Sequence, residues 1–322
     1  MRAVQIHRFG DDSVLRYEEV PDLTPGPDEV RVAVKAASIN RGDLARRHGN
    51  YPGEVAFPFT LGFEVAGVID AVGAGIAAAR IGERVVAVAT HGGYAEQLVT
   101  PAIAALPLPD SVSDDAGASI PVVFLAAWYG LVITANVRPD EWVLVQAGAS
   151  GVGLAAIQIA KHRGARVIAT ASSQDKLEFA RRHGADATIN YDEQDFVAEA
   201  WRITDGAGVD IVYESVGGEI FEASLEVLRL NGRLICIGNT VGKTATVDPT
   251  ALFRSNLSVH GLYLVPWVLT GDAWPVLGDI IQLVANGTLR VAVDRRYPLR
   301  DAAMAHRYLE QRKNFGKVVL HP

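Results

Sequence analysis

The sequence predicts an α/β protein of two domains, one rich in β structure and one built on a doubly wound parallel sheet. Three observations lead there. The chain has 322 residues, and at about 150 residues per domain that is two domains. Its first third is a series of short Val- and Ala-rich runs punctuated by Gly and Pro. After residue 120, apolar strands alternate with helices at the spacing of βαβ units. The expected domains are 1–120, completed by 265–322, and 121–264.

In the first domain, AVQI (3–6), VRVAVKAASI (30–39), EVAGVIDAVG (64–73) and RVVAVAT (84–90) read as strands. Pro25-Gly26-Pro27, Gly73 and Gly92-Gly93 mark the turns, and a partly closed β structure is expected. Residues 116–137 carry no charge and are long enough to cross a bilayer. Ser119, Pro121, Gly130, Thr134 and Asn136 dilute the run, so it reads as a buried helix, with Pro121 suited to a first turn.

The second domain begins with WVLVQA (142–147), followed by a helix over Val152–Arg163, the strand RVIATA (166–171) and a helix over Gln174–His183 closed by Gly184. Strands follow at ATIN (187–190), VDIVYES (209–215), RLICIG (233–238) and SVHGLYL (258–264). Their nearly continuous apolar character suits a parallel sheet covered on both faces. The last segment reads as a helix at 279–285, a strand at 290–293, a helix at 301–311 and a strand at 317–320.

Charge and cysteine content narrow the function. Thirty basic against 37 acidic residues leave a net charge of −7, which disfavours nucleic acid as a partner. Cys236 is the single cysteine, so there is no disulfide framework and no multi-cysteine zinc lobe. It lies in an apolar run and reads as core. MRAVQIHRFG lacks the apolar stretch of a signal peptide, so the cytoplasm is expected and no membrane.

The chemistry is concentrated in Ala147-Gly148-Ala149-Ser150-Gly151-Val152-Gly153. This glycine-rich turn follows a strand, opens a helix and starts a βαβ unit, the context of a dinucleotide site. Glycines let the backbone approach a pyrophosphate, whose charge is held by free N–H groups and the helix dipole. An NAD site places a carboxylate at the tip of the second strand. Here that tip reads Ala171-Ser172-Ser173, with Lys176 one turn later and Asp175 already inside the helix. Hydroxyls and a cation suit a 2′-phosphate, so NADPH is the expected cofactor.

With these residues in view, the chain resembles the zinc-free quinone oxidoreductases (ζ-crystallin-like) of the medium-chain dehydrogenase/reductase superfamily. The resemblance rests on AASINRGD (36–43), LGFEVAGVIDAVG (61–73), AGASGVGLAAIQIAK (147–161), GADATINY (184–191), YESVGG (213–218), GRLICIGN (232–239) and FGKVVL (315–320). It implies a GroES-like catalytic domain, a Rossmann domain and NADPH held between them. By position, Ser150, Gly151, Val152 and Gly153 would hold the pyrophosphate, and Ser172, Lys176 and Tyr191 the 2′-phosphate. Ser215, Gly238 and Asn239 would line the adenosine and nicotinamide side. Asn40 would contact the nicotinamide end, with Asn314, Gly316 and Lys317 closing over the cofactor from the C-terminal segment. The resemblance also implies a homodimer formed through the sheet edge near Ser258–Leu264.

Zinc-dependent relatives carry Cys at the position of Asn40 and His at that of Phe63, and an amide and a phenyl ring do not replace those ligands. Hydride transfer to an electron-poor acceptor, a quinone or an α,β-unsaturated carbonyl, needs mainly positioning. Asn40 as an amide donor and Tyr51 as a phenol donor are the candidate helpers. Tyr51 also reads as a packing aromatic, and Asp43 either orients the loop or caps the helix near Leu44. Phe63, Tyr94, Phe124, Trp128 and Tyr263 are possible pocket walls or core. Ala126 and Ala45 stand where some bacterial relatives carry Thr and Tyr, which changes the acceptor pocket. A 2-enoyl thioester reductase, for which Arg41, Arg46 and Arg47 hint at a carrier surface, and a non-catalytic NADPH-binding protein remain the alternatives.

Overall fold

The Val- and Ala-rich runs of the N-terminal third become long antiparallel strands, because alternate residues bury against one core. A computed structural model describes all 322 residues, which divide into two compact units, Met1–Val122 with Val265–Pro322 and Val123–Leu264.

In the first unit a seven-stranded sheet runs in the order Val293–Pro298, Lys317–His321, Glu29–Ile39, Glu64–Val72, Arg84–Val88 and Ala105–Pro107, with Gln97–Pro101 also paired to Glu29–Ile39. A three-stranded sheet joins Arg16–Glu19, Arg2–Ile6 and Phe59–Thr60. Val4, Ile6, Val32, Val65, Ile69, Val318 and Leu320 form part of its shared core. Lys317–His321 runs antiparallel to Glu29–Ile39 with Val318 opposite Ile39, which brings Lys317 beside Asn40.

The second unit is a six-stranded, fully parallel sheet in the order Ala187–Asn190, Arg166–Ala171, Trp142–Val145, Val209–Glu214, Leu228–Cys236 and Ser258–Gly261. Counted along the chain that is 3-2-1-4-5-6, the doubly wound dinucleotide-binding order. The two central strands, Trp142–Val145 and Val209–Glu214, are buried at every residue except Trp142. This explains their unbroken apolar sequences, since helices cover both faces.

Three expectations are revised. The uncharged stretch at 116–137 is not one helix. It breaks into Asp114–Ala118, Pro121–Trp128 and a π-helical turn over Tyr129–Thr134, because Pro121 has no N–H to continue the first helix. No helix is long and apolar enough to cross a membrane. The strand expected at 290–293 lies at Val293–Pro298, paired on one side only, and SVHGLYL is strand only over Ser258–Gly261.

Candidate active site

In the second unit, the helix Gly151–His162 starts directly after the glycine-rich turn. Ser150 caps it, its hydroxyl accepting from the Gly153 amide at 3.0 Å. The amides of Gly151 and Val152, in the first turn, have no carbonyl within the helix to bond and remain available to an anion. Packing demands the glycines here. A Cβ on Gly153 would lie 2.4 Å from the Ala147 carbonyl oxygen, and one on Gly148 would lie 2.8 Å from the Ala169 Cβ. Ala147 itself turns the chain at φ 53°. The loop therefore offers bare backbone and a helix N-terminus, which is what a pyrophosphate requires.

Ala171 and Asn190 pair at the carboxyl ends of adjacent parallel strands. Ser172 and Tyr191 follow them, with the Tyr191 amide bonded to the Ala171 carbonyl at 3.2 Å. Lys176 stands in the first turns of the helix Gln174–Arg182. No carboxylate occupies the strand tip, and Asp175 is an exposed helix residue. These three residues thus share one end of the sheet and suit a phosphate. Ser215 and Asn239 meet through the next turn. Thr240 Oγ1 donates to the Ser215 carbonyl at 2.6 Å, and Asn239 Nδ2 donates to the Lys243 carbonyl at 2.9 Å. Gly238 is exposed beside them. A Cβ on Gly217 (φ 85°) would strike Asn239 Oδ1 at 2.1 Å, so the glycine makes room for that amide.

In the first unit, Asn40 ends the strand Glu29–Ile39 and precedes the helix Arg41–Arg47. It is buried with Glu64 and Lys317. The Lys317 ammonium donates to Asn40 Oδ1 at 2.6 Å, Glu64 Oε1 at 3.0 Å and the Ile39 carbonyl at 3.2 Å. Asn40 Nδ2 donates to Glu64 Oε1 at 2.8 Å, and Glu64 Oε2 accepts from the Val122 amide at 2.7 Å. A lysine has donors only, so the Asn40 oxygen must face it and the amide nitrogen must face outward from it. Asn40 is therefore oriented as a donor, with one N–H still uncommitted. Lys317, expected to close over the cofactor, spends all three of its protons here. Asn314 folds back on the same segment, donating to the Gly316 carbonyl at 2.7 Å. Gly316 (φ 86°) lies where a Cβ would be 2.4 Å from the Ala292 carbonyl.

Asp43 performs both of the roles left open for it. Its Oδ2 accepts from the Asn40 amide at 2.8 Å, capping the helix, and its Oδ1 accepts from the Gly62 amide at 3.0 Å, holding the neighbouring turn. Burial pushes its carboxyl up to about 7, against the pull of those two amides. Tyr51 packs 5.5 Å from the Phe63 ring. The Arg46 guanidinium lies 4.5 Å over Tyr51, 5.0 Å over Phe63 and 5.6 Å over Phe59, an arrangement the sequence reading did not foresee. Gly42 lies beneath both rings, where a Cβ would be 3.1 Å from each. Phe124 and Tyr94 are core residues, buried like Phe63.

Two family models match the chain, "Alcohol dehydrogenase GroES-like domain" over residues 26–110 and "Zinc-binding dehydrogenase" over residues 151–277. A quinone oxidoreductase of Salmonella typhimurium is 36% identical over 328 residues, covering 99% of both chains. A 2-haloacrylate reductase of Burkholderia is 34% identical over 99% of this chain and 98% of its own. The structure of Escherichia coli quinone oxidoreductase complexed with NADPH superposes with a TM-score of 0.94 at 34% identity, covering all of both chains. The zinc in the second family description does not fit these residues. At the position of a ligand thiolate stands Asn40, whose oxygen is bound to an ammonium, at that of a ligand imidazole stands Phe63, and no group of three His, Cys, Asp or Glu side chains could hold a metal ion. The matches run the full length of the chain, and the chain belongs to the quinone oxidoreductase family of medium-chain dehydrogenases/reductases.

Proposed function

We propose that this protein is an NADPH-dependent reductase that delivers hydride, without a metal, to a quinone or to the β-carbon of an α,β-unsaturated carbonyl. The observation that carries this reading is the buried set Asn40–Glu64–Lys317. Asn40 Oδ1 and Glu64 Oε1 are committed to the ammonium and Glu64 Oε2 to the Val122 amide, and what the set offers is one oriented amide N–H. That donor suits a carbonyl oxygen gaining negative charge and supplies none of the Lewis acidity on which alcohol oxidation depends.

The cofactor, when bound, supplies the hydride. The chain supplies the rest. Ser150, Gly151, Val152 and Gly153 hold the pyrophosphate through the helix N-terminus. Ser172, Lys176 and Tyr191 hold the 2′-phosphate, which selects NADPH over NADH. Ser215, Gly238 and Asn239 line the remaining cofactor side, and Asn314 and Gly316 form the C-terminal cover. Lys317 acts through Asn40. Tyr51, stacked under Arg46, is the candidate phenol that returns a proton after hydride arrives, and a cation over its ring favours release of that proton.

A thioester-reductase reading is kept apart by substrate choice alone. We further propose a cytoplasmic homodimer joined at the edge strand Ser258–Gly261, whose alternate residues are exposed; a clean monomer on size exclusion removes that part. The function itself is tested by titrating the protein with NADPH and NADH, then comparing kcat for an enone in wild type and Tyr51→Phe. NADPH binding the tighter, with kcat falling about 100-fold in the variant, is expected for a proton donor. Equal affinity for the two cofactors, with no reduction of any quinone, enone or enoyl thioester, overturns the reading.

A further inference from the structure

The second unit buries a row of polar side chains where its strands reach their carboxyl ends. Leu144, Ile168 and Val212 stand side by side in register and pack in one hydrophobic core. Two residues on, side chains return to the same face of a sheet, and there the three positions are Gln146, Thr170 and Glu214, all buried. Burying such groups costs free energy unless they are hydrogen-bonded. The Thr170 hydroxyl donates to Gln146 Oε1 at 2.6 Å, and Gln146 Nε2 donates to the Ser224 hydroxyl at 3.1 Å. Ser224 is buried as well, in the helix Gly218–Glu226. Glu214 Oε1 accepts from the amides of Val216 at 2.6 Å and Gly217 at 2.9 Å.

Each position in the row adjoins a segment assigned to the cofactor. Gln146 immediately precedes the glycine-rich turn, Thr170 precedes Ala171 and Ser172, and Glu214 holds the turn that begins at Ser215. The backbone repeats the tie between the first two, since the Gly148 amide donates to the Thr170 carbonyl at 2.8 Å. Loop and strand tip are thus joined twice, once through the main chain and once through side chains. Gln146 stands at the centre, with its own amide donating to the Tyr213 carbonyl at 3.1 Å. Sealed from solvent, its side chain acts only through its neighbours.

We propose that Gln146 is a positioning residue for cofactor selectivity: bonded to Thr170, it fixes the pyrophosphate loop against the strand tip that holds the 2′-phosphate. This rests on the two phosphate sites proposed above. NADPH is held at both, and a ligand held at two points loses affinity when their spacing is no longer fixed. NADH is held at the loop and lacks the second point, so a loosened tie costs it less. Disorder within the loop itself weakens both cofactors alike and cancels in the ratio of their dissociation constants.

The test is fluorescence titration of the full chain with NADPH and with NADH, for wild type, Gln146→Met, Thr170→Val and Thr170→Ser. Met and Val nearly keep the volume and remove the hydrogen bond, whereas Ser keeps the hydroxyl. The preference for NADPH should fall about tenfold in Gln146→Met and Thr170→Val, and stay within about twofold of wild type in Thr170→Ser. A side chain that merely supported the fold would lower the urea midpoint and leave this preference alone. An unchanged preference in folded Gln146→Met overturns the proposal; should that variant fail to fold, equal preferences in Thr170→Val and Thr170→Ser overturn it. A wild type that binds the two cofactors equally overturns the 2′-phosphate reading instead, and hydrogen exchange at the Gly148 amide of the cofactor-free protein then decides this one. Faster exchange in Thr170→Val than in Thr170→Ser upholds the tie, and equal rates overturn it.

Discussion

Asp43→Asn, examined for stability against pH, isolates one buried carboxyl. In the folded protein Asp43 keeps its proton until about pH 7, whereas its ordinary value is 3.8. Between those values the unfolded chain has released a proton that the folded protein retains, so stability falls as pH rises. His306 works in the opposite sense, because the unfolded chain takes up a proton near 6.5 that the folded protein refuses until about 3. Over about pH 4 to pH 6.5 the two slopes are similar in size and cancel, each near 1.4 kcal/mol per pH unit. Replacing Asp43 removes one of them. The stability difference between variant and wild type should then rise by about 3 kcal/mol from pH 4 to pH 6.5. Beneath it lies a constant loss of about 1–3 kcal/mol, because an Asn amide cannot accept from both the Asn40 and Gly62 amides. Urea unfolding of both proteins at several pH values gives the difference directly, with titrations common to both removed. His306→Gln should show the mirror image, losing stability as pH rises. A difference that stays flat with pH for Asp43→Asn would refute the reasoning.

Other consequences are equally specific. Gly153→Ala forces a Cβ to within 2.4 Å of the Ala147 carbonyl; NADPH affinity, read by fluorescence titration, should drop at least about tenfold, a loss of about 1.4 kcal/mol. Lys176→Ala should weaken NADPH by about 1.5–3 kcal/mol while leaving NADH unchanged, as expected for a charge-assisted contact to the 2′-phosphate. Lys317→Met leaves the buried Glu64 carboxylate without its cation and should cost about 3–5 kcal/mol in urea unfolding, much of it recovered by adding Glu64→Gln.

What was legible in the residues, and what was not, divides by range. The doubly wound sheet was readable because its inner strands Trp142–Val145, Arg166–Ala171 and Val209–Glu214 are mostly apolar and nearly all buried, and the cofactor loop because close backbone approach leaves no room for anything but glycine at Gly148 and Gly153. The edge strand Val293–Pro298 was misplaced because, paired on one side, it carries the charged sequence DRRY and lacks the apolar pattern of its neighbours. The stretch at 116–137 looked like one helix because apolarity does not report where Pro121 restarts the hydrogen bonding. The polar interior was invisible for another reason. Arg47 reads with Arg41 and Arg46 as a hint of a carrier surface, yet it is fully buried against His306, 259 residues away. Lys317 reads as a cofactor contact until the register with Ile39 sets it against Asn40. No local pattern announces a partner so distant in the chain.

Metal-free turnover bears most directly on the central claim. Purified protein, stripped with EDTA, is mixed with NADPH and offered quinones, simple enones, enoyl thioesters and a secondary alcohol with NADP⁺, with NADH in parallel. The account predicts undiminished NADPH oxidation with a quinone or an enone, weaker use of NADH and no alcohol oxidation. Activity that vanishes with EDTA and returns with zinc would contradict it.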